Sequence, residues 1–156
     1  MKRLVLAVCF LILSVTCGVA AVPAQGKDKS TASVDTISAL VGNWSGESVC
    51  VDRERFPACH DEQVVYRIVK SDDKPETLHI TMDKIVDGKP ELMDEFDFKY
   101  DDRAHALVAE FTRHGRRGVW EFKVNGDVIE GSLVTLPEKK AARRVRVKKE
   151  QATRPT

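Results

Sequence analysis

The chain has almost no net charge: 25 Lys and Arg stand against 24 Asp and Glu in 156 residues. That balance excludes a simple polybasic nucleic-acid binder. Missing too is an apolar run of the roughly 20 residues that a membrane-spanning helix needs; the longest here, residues 4–15, falls short. No G-x-S-x-G, H-E-x-x-H, phosphate-binding G-x-x-x-x-G-K or G-x-G-x-x-G is present, nor a C-x₂-C pair. These absences predict a non-catalytic protein without a metal or cofactor. What is there, 42% hydrophobic and 31% charged residues, suits one domain with a modest core.

Residues 1–24 read as a secretory signal peptide. Lys2 and Arg3 precede the apolar run, and small residues follow through Ala20, Ala21 and Val22-Pro23-Ala24. A lipoprotein acylated at Cys17 is the rival reading. Cleavage after Ala24 leaves 23 basic and 24 acidic residues, and only Cys50 and Cys59 of the four cysteines. In an exported chain those two are expected to form a disulfide. Closing a loop of about ten residues contributes about 2–3 kcal/mol in the chain-entropy model. A metal site of Cys50, Cys59 and His60 is the competing reading, but it lacks a fourth ligand at a recognised spacing.

Residues 25–35 are small and polar and read as a flexible leader. Ile37-Ser38-Ala39-Leu40-Val41 suits a single helical or 3₁₀ turn. The period from there is two, with turn residues at regular intervals, which predicts eight strands. They are placed at 44–51, 64–70, 78–85, from Leu92 through Tyr100, 105–112, 119–124, 128–135 and around Val145 and Val147. Asp94 breaks the apolar parity of the fourth. Asn125-Gly126 is the strongest short hairpin signal. Short connections favour sequential antiparallel neighbours, and eight such strands leave two open edges unless the sheet closes. The expected fold is therefore all-β: an eight-stranded antiparallel up-and-down barrel over residues 36–149, with residues 150–156 frayed. A β-sandwich gives the same alternation and is the alternative.

Gly42-Asn43-Trp44, after a short helical turn and at the start of the first strand, resembles the Gly-x-Trp opening of lipocalins and related calycin barrels. The following residues 45–50 resemble the first strand of small exported bacterial proteins of that kind. The resemblance implies an open barrel end reached by the first strand. It also implies a basic residue of the last strand, one of Arg146, Lys148 and Lys149, packed on Trp44 across the closed end. Some bacterial protease and lysozyme inhibitors are similar in size, Trp-led first strand and disulfide.

Isolated features carry little chemistry. His60, His79, His105 and His114 are scattered over turns and strands. Asp72-Asp73 and Asp101-Asp102 sit where Asp is favoured by turn hydrogen bonding. Charge placement says more. In a meander, the loops after strands one, three, five and seven share one end and carry eight basic residues against five acidic ones. The opposite loops carry two basic against six acidic. Residues 139–156, which include Lys139 and Lys140 of those loops, carry eight basic residues against one acidic, with Val145 and Val147 facing inward.

The first end, with Arg113, Arg116 and Arg117, is the candidate site, and Tyr66, Phe98, Phe111 and Trp120 are the candidate aromatic lining. An interior of eight strands is either filled by side chains or just holds one small ligand. The expected function is a periplasmic or secreted binding protein for an apolar or anionic small ligand at the basic mouth. The alternative is an envelope protein-interaction module with a filled core, meeting an acidic protein partner. Neither reading involves nucleic acid or a transmembrane segment.

Overall fold

The computed structural model describes residues 29–74 and 76–151, with side chains from Asp35 onward. The signal-peptide and Cys17 readings, residues 25–28 of the leader and residues 152–156 lie outside the described residues. One helix, α1 (Lys29–Leu40), precedes eight strands: β1 (Gly42–Cys50), β2 (Glu62–Lys70), β3 (Thr77–Val86), β4 (Lys89–Asp101), β5 (Ala106–Arg113), β6 (Arg116–Asn125), β7 (Val128–Leu136) and β8 (Lys140–Lys149). Each strand pairs antiparallel with the next, and β8 returns to β1, closing the barrel in sequence order. The sandwich alternative is thereby excluded.

Alternation explains the closure. Trp44, Tyr66, Ile68, Leu78, Ile80, Met82, Phe98, Leu107, Phe122, Ile129, Val145 and Val147 point inward and are almost wholly buried. Phe96, Phe111 and Leu133 pack on the same core from partly exposed positions. The turns supply the backbone twist that antiparallel strands need. Asp87-Gly88 and His114-Gly115 both carry two positive φ angles, at 49° and 75° and at 49° and 74°. The hairpin expected at Asn125-Gly126 forms one residue later: Asn125 remains in β6, and Gly126 takes the positive φ of 60°.

Two local departures have physical causes. The helix is longer than the single turn expected and runs back through residues 29–35, part of the stretch read as a leader. Ile37 and Leu40 bury against the barrel, and the Trp44 Nε1–H donates to the Leu40 carbonyl at 2.9 Å. Asp94 keeps its inward place opposite Met82, where Arg113 bonds it, and the β3–β4 register slips just beyond: Asp83 faces Leu92, and Met93 is passed over.

The helix closes the end formed by the acidic loops. Of the three cations left open by the resemblance, Lys149 takes the position on Trp44. Its Nζ lies 5.7 Å from the ring centroid and donates to the Ala39 carbonyl at the C-terminus of α1. Arg146 instead pairs with Glu130 on the outer wall. A cation at a helix C-terminus meets the partial negative charge of the last carbonyls. With one end plugged, the basic end is the one left open among the described residues.

The interior is filled rather than hollow. Phe122 stacks on Phe98 at 5.0 Å and on Tyr66 at 5.9 Å, and Trp120 lies 5.4 Å from it. Gly131, opposite Phe122 in the register, makes room for that ring. A Cβ there would stand 2.4 Å from the ring and 2.1 Å from the Glu121 carbonyl oxygen. Gly118 serves Phe111 in the same way, since a Cβ would stand 2.5 Å from that ring. A glycine facing an aromatic across a strand pair lets the ring lie flat over the backbone.

Candidate functional site

The loops 51–61, 87–88, 114–115 and 137–139 meet at the open end. The first is the longest and is anchored at both ends. Cys50 and Cys59 are bonded, with their Cα atoms 5.9 Å apart, inside the range a disulfide requires. Asp61 accepts from the Cys50 amide at 2.8 Å and from Arg53 at 2.8 Å. These hydrogen bonds, the amide first and the guanidinium second, hold the Asp61 carboxyl below the usual carboxylate range. Two turns, Phe56 N–H to Asp52 O and Cys59 N–H to Phe56 O, fix the loop's one aromatic residue. Phe56 then lies under two guanidiniums, Arg55 at 5.4 Å and Arg116 at 5.5 Å.

Beneath that loop is a hollow of about 400 Å³. Phe56, Phe111, Leu133 and Ala142 give it an apolar wall. Arg113, Arg116, Arg117, Arg143 and His114 line the rest, and no carboxylate does. The carboxylates that pair with these arginines stand outside the hollow. Asp94 holds Arg113 through two hydrogen bonds of 2.5 and 2.8 Å. Glu110 is 3.6 Å from Arg117. Glu62 takes Arg143 at 2.6 Å. Arg116 has no acidic partner among the described residues; its guanidinium lies over the Phe56 ring. Three cations are balanced and one is left over, so the hollow favours a single negative charge beside an apolar surface.

Arg143 forms the floor. Its Nε donates to Ser48 Oγ at 2.9 Å, and its Nη2 reaches the carbonyls of Ser48 and His60 as well as Glu62. Ser48 also hydrogen-bonds Tyr66, whose hydroxyl pKa burial pushes well above the ordinary phenol value. This network joins β1, β2 and β8 under the mouth.

No family model, curated protein or solved structure matches the chain. The site therefore stands on its own residues. Of the positions expected from sequence, Phe111, Arg113, Arg116 and Arg117 come together in the hollow. Tyr66, Phe98 and Trp120 do not line it; they are 1%, 0% and 6% exposed and form the ring stack below. Phe56 and Arg143 are additions. Phe56 had a readable signal, a lone aromatic in a charged loop between two cysteines. Arg143 had one too: it stands two residues before inward Val145 and so shares its face.

The remaining surface offers less. A shallow hollow of about 310 Å³ on the outer wall is lined by Glu47, Glu130, Arg144 and Arg146, charges of both signs in equal number. Among the described residues no group of three or more His, Cys, Asp or Glu stands within reach of one metal ion. No described helix is long and apolar enough to cross a membrane.

The Asp61 anchor gives a pH prediction. A carboxyl whose pKa is depressed by folding stabilises the fold above its unfolded value, near 3.9. That contribution is lost as pH falls through the lower folded value. Carbon-detected NMR titration is expected to place the Asp61 midpoint below 3.8, and Asp61→Asn to flatten the acid limb of the stability curve. A midpoint at or above the model-peptide value would contradict the anchoring. Asp97 shifts in the same direction, through hydrogen bonding with His79 and then Lys74.

Proposed function

We propose that the chain is an exported, non-catalytic, calycin-like binding protein whose open end takes the apolar, singly anionic end of a ligand. The observation that carries this reading is the lining of the mouth: apolar Phe56, Phe111 and Leu133 beside four arginines, with Arg116 uncompensated and no carboxylate among them. The Gly42-Asn43-Trp44 opening, the helix-plugged end and Lys149 on Trp44 support the calycin-like assignment. The signal-like first 24 residues and the disulfide support export. Because the interior is filled, the ligand sits in the mouth and does not thread into the barrel. That packing also favours the second reading, a protein-interaction module acting through the same loops.

Octanoate, octanol and octylamine test the charge requirement with one tail. Octanoate is expected to raise the melting temperature and change tryptophan emission, whereas the alcohol and the amine leave both unchanged. A charge-assisted hydrogen bond contributes about 1.5–3 kcal/mol, so Arg116→Gln is expected to weaken octanoate binding by about 10- to 100-fold. Equal response to octanol, or an Arg116→Gln variant that binds as well as the parent, would remove the reading.

A further inference from the structure

Every neighbouring strand pair except one is joined over at least seven residues; β4 and β5 are joined over three, from Lys99↔Val108 to Asp101↔Ala106. Continued toward the mouth, the same register sets Phe96 opposite Phe111 and Asp94 opposite Arg113. Those side chains do meet. The two rings are 5.0 Å apart and the two charges are bonded at 2.5 and 2.8 Å, although the backbones between them no longer pair.

β5 ends at Arg113, whereas β4 continues back to Lys89. Residues 89–92 of β4 pair with β3 on one side, and Met93 is passed over by that pairing. Along 89–93 no strand lies on the other side among the described residues. A lane the width of one strand therefore stands open beside this stretch, in line with β5 and above the His114-Gly115 turn. The turn at its foot joins Arg113 to Arg116, and both of these line the candidate hollow. Leu92, 61% exposed, borders the lane. Pro90, which has no N–H, shortens the pairing stretch to residues after it.

We propose that the mouth binds the C-terminus of an extended peptide that adds to the free edge of β4. This rests on the anion-binding reading above and names its ligand class. Charge sets the direction of the chain. The peptide end that faces the uncompensated Arg116 is its carboxylate, since an ammonium would be repelled. The peptide thus runs parallel to β4, which descends from the mouth to the plugged end. Its carboxylate meets Arg116, and its last side chain, an apolar one, lies against Phe56, Phe111 and Leu133. Its amides satisfy backbone groups of residues 91–93 that a fatty acid leaves unpaired. Strand addition draws affinity from the main chain and selectivity from the pocket.

The oxidised full chain is titrated with the pentapeptide Ser-Val-Thr-Leu-Val as its free acid, as its C-terminal amide, and in two forms N-methylated at alternate residues. Octanoate serves as the simple anion. The free acid is expected to bind at least tenfold more tightly than either the amide or octanoate. One methylation pattern is expected to cost fivefold or more and the other little, because alternate amides face the strand. Amide exchange at residues 91–93 is expected to slow with the peptide acid and not with octanoate. If octanoate binds but the acid gains nothing over it, or both methylated forms bind like the parent, the strand proposal fails and the anion reading stands. If the acid and octanoate both fail to bind, the two fail together.

Discussion

Arg143→Ala is expected to be among the more damaging single substitutions in this protein, at about 1.5–3 kcal/mol, the scale of hydrogen bonds made by a charged group. The Arg143 side chain is 16% exposed and Glu62 is 22% exposed, so water replaces part of what is lost and not all of it. The guanidinium also serves Ser48 Oγ and the carbonyls of Ser48 and His60. Alanine leaves those acceptors facing the hollow and an acid without its cation. Urea denaturation of the single variant, of Glu62→Gln and of the double variant would measure the coupling. The double variant is expected to be more stable than the sum of the singles, because the acid is stranded only when Arg143 goes alone. Additive losses would mean that the two groups are not one network. The disulfide ought to survive in all three, since Arg143 touches Cys59 without holding its bond.

The fold was legible because its signal is repeated. Most of the eight strands show alternate apolar residues, and each gap between them carries turn chemistry, so one irregular strand or misplaced boundary changes little. The helix was less legible. Its sequence, KSTASVDTISAL, is rich in Ser and Thr and offers Ile37 and Leu40 as its buried pair near the C-terminal end. The short stretch 37–41 marked only a helical turn, and the helix observed, Lys29–Leu40, is anchored where that stretch docks at the barrel end.

The site divides along the same line. Counting loops around a meander places Arg113, Arg116 and Arg117 at one end without any knowledge of packing. Whether Tyr66, Phe98 and Trp120 border a cavity depends on volumes that alternation does not encode. Gly131 lets Phe122 cross the interior, and the three rings then close around it. Arg143 was masked by its neighbours. In a run of bases such as Arg143-Arg144-Val145-Arg146 nothing marks the inward one except parity with the valines. The three-residue pairing of β4 and β5 had no sequence signal beyond Asp94, whose place on an apolar face is explained by Arg113 across the gap.

Phe122→Ala is expected to cost about 3–5 kcal/mol, as full truncations of buried rings do. Phe122 is 0% exposed and touches Tyr66, Phe98 and Trp120 at once, so its loss removes three ring contacts and leaves a void between them. The facing glycine decides whether that void can be refilled. Gly131→Ala alone is expected to destabilise by about 3 kcal/mol, at the upper end of ordinary overpacking. Its Cβ would meet both the Phe122 ring and the Glu121 carbonyl oxygen, the latter at 2.1 Å. Truncating Phe122 removes the first obstacle and not the second, so the double variant Phe122→Ala/Gly131→Ala is expected to be less stable than Phe122→Ala. The second glycine–aromatic pair behaves in the opposite way. The three nearest neighbours of a Cβ at Gly118 all belong to the Phe111 ring, at 2.5, 2.9 and 3.1 Å. Gly118→Ala is therefore expected to be harmful with Phe111 present and nearly neutral in a Phe111→Ala background. Denaturation midpoints of the two cycles separate a clash with backbone from a clash with a movable ring. Rescue at Gly131, or no rescue at Gly118, would show that the strands give way where the packing says they cannot.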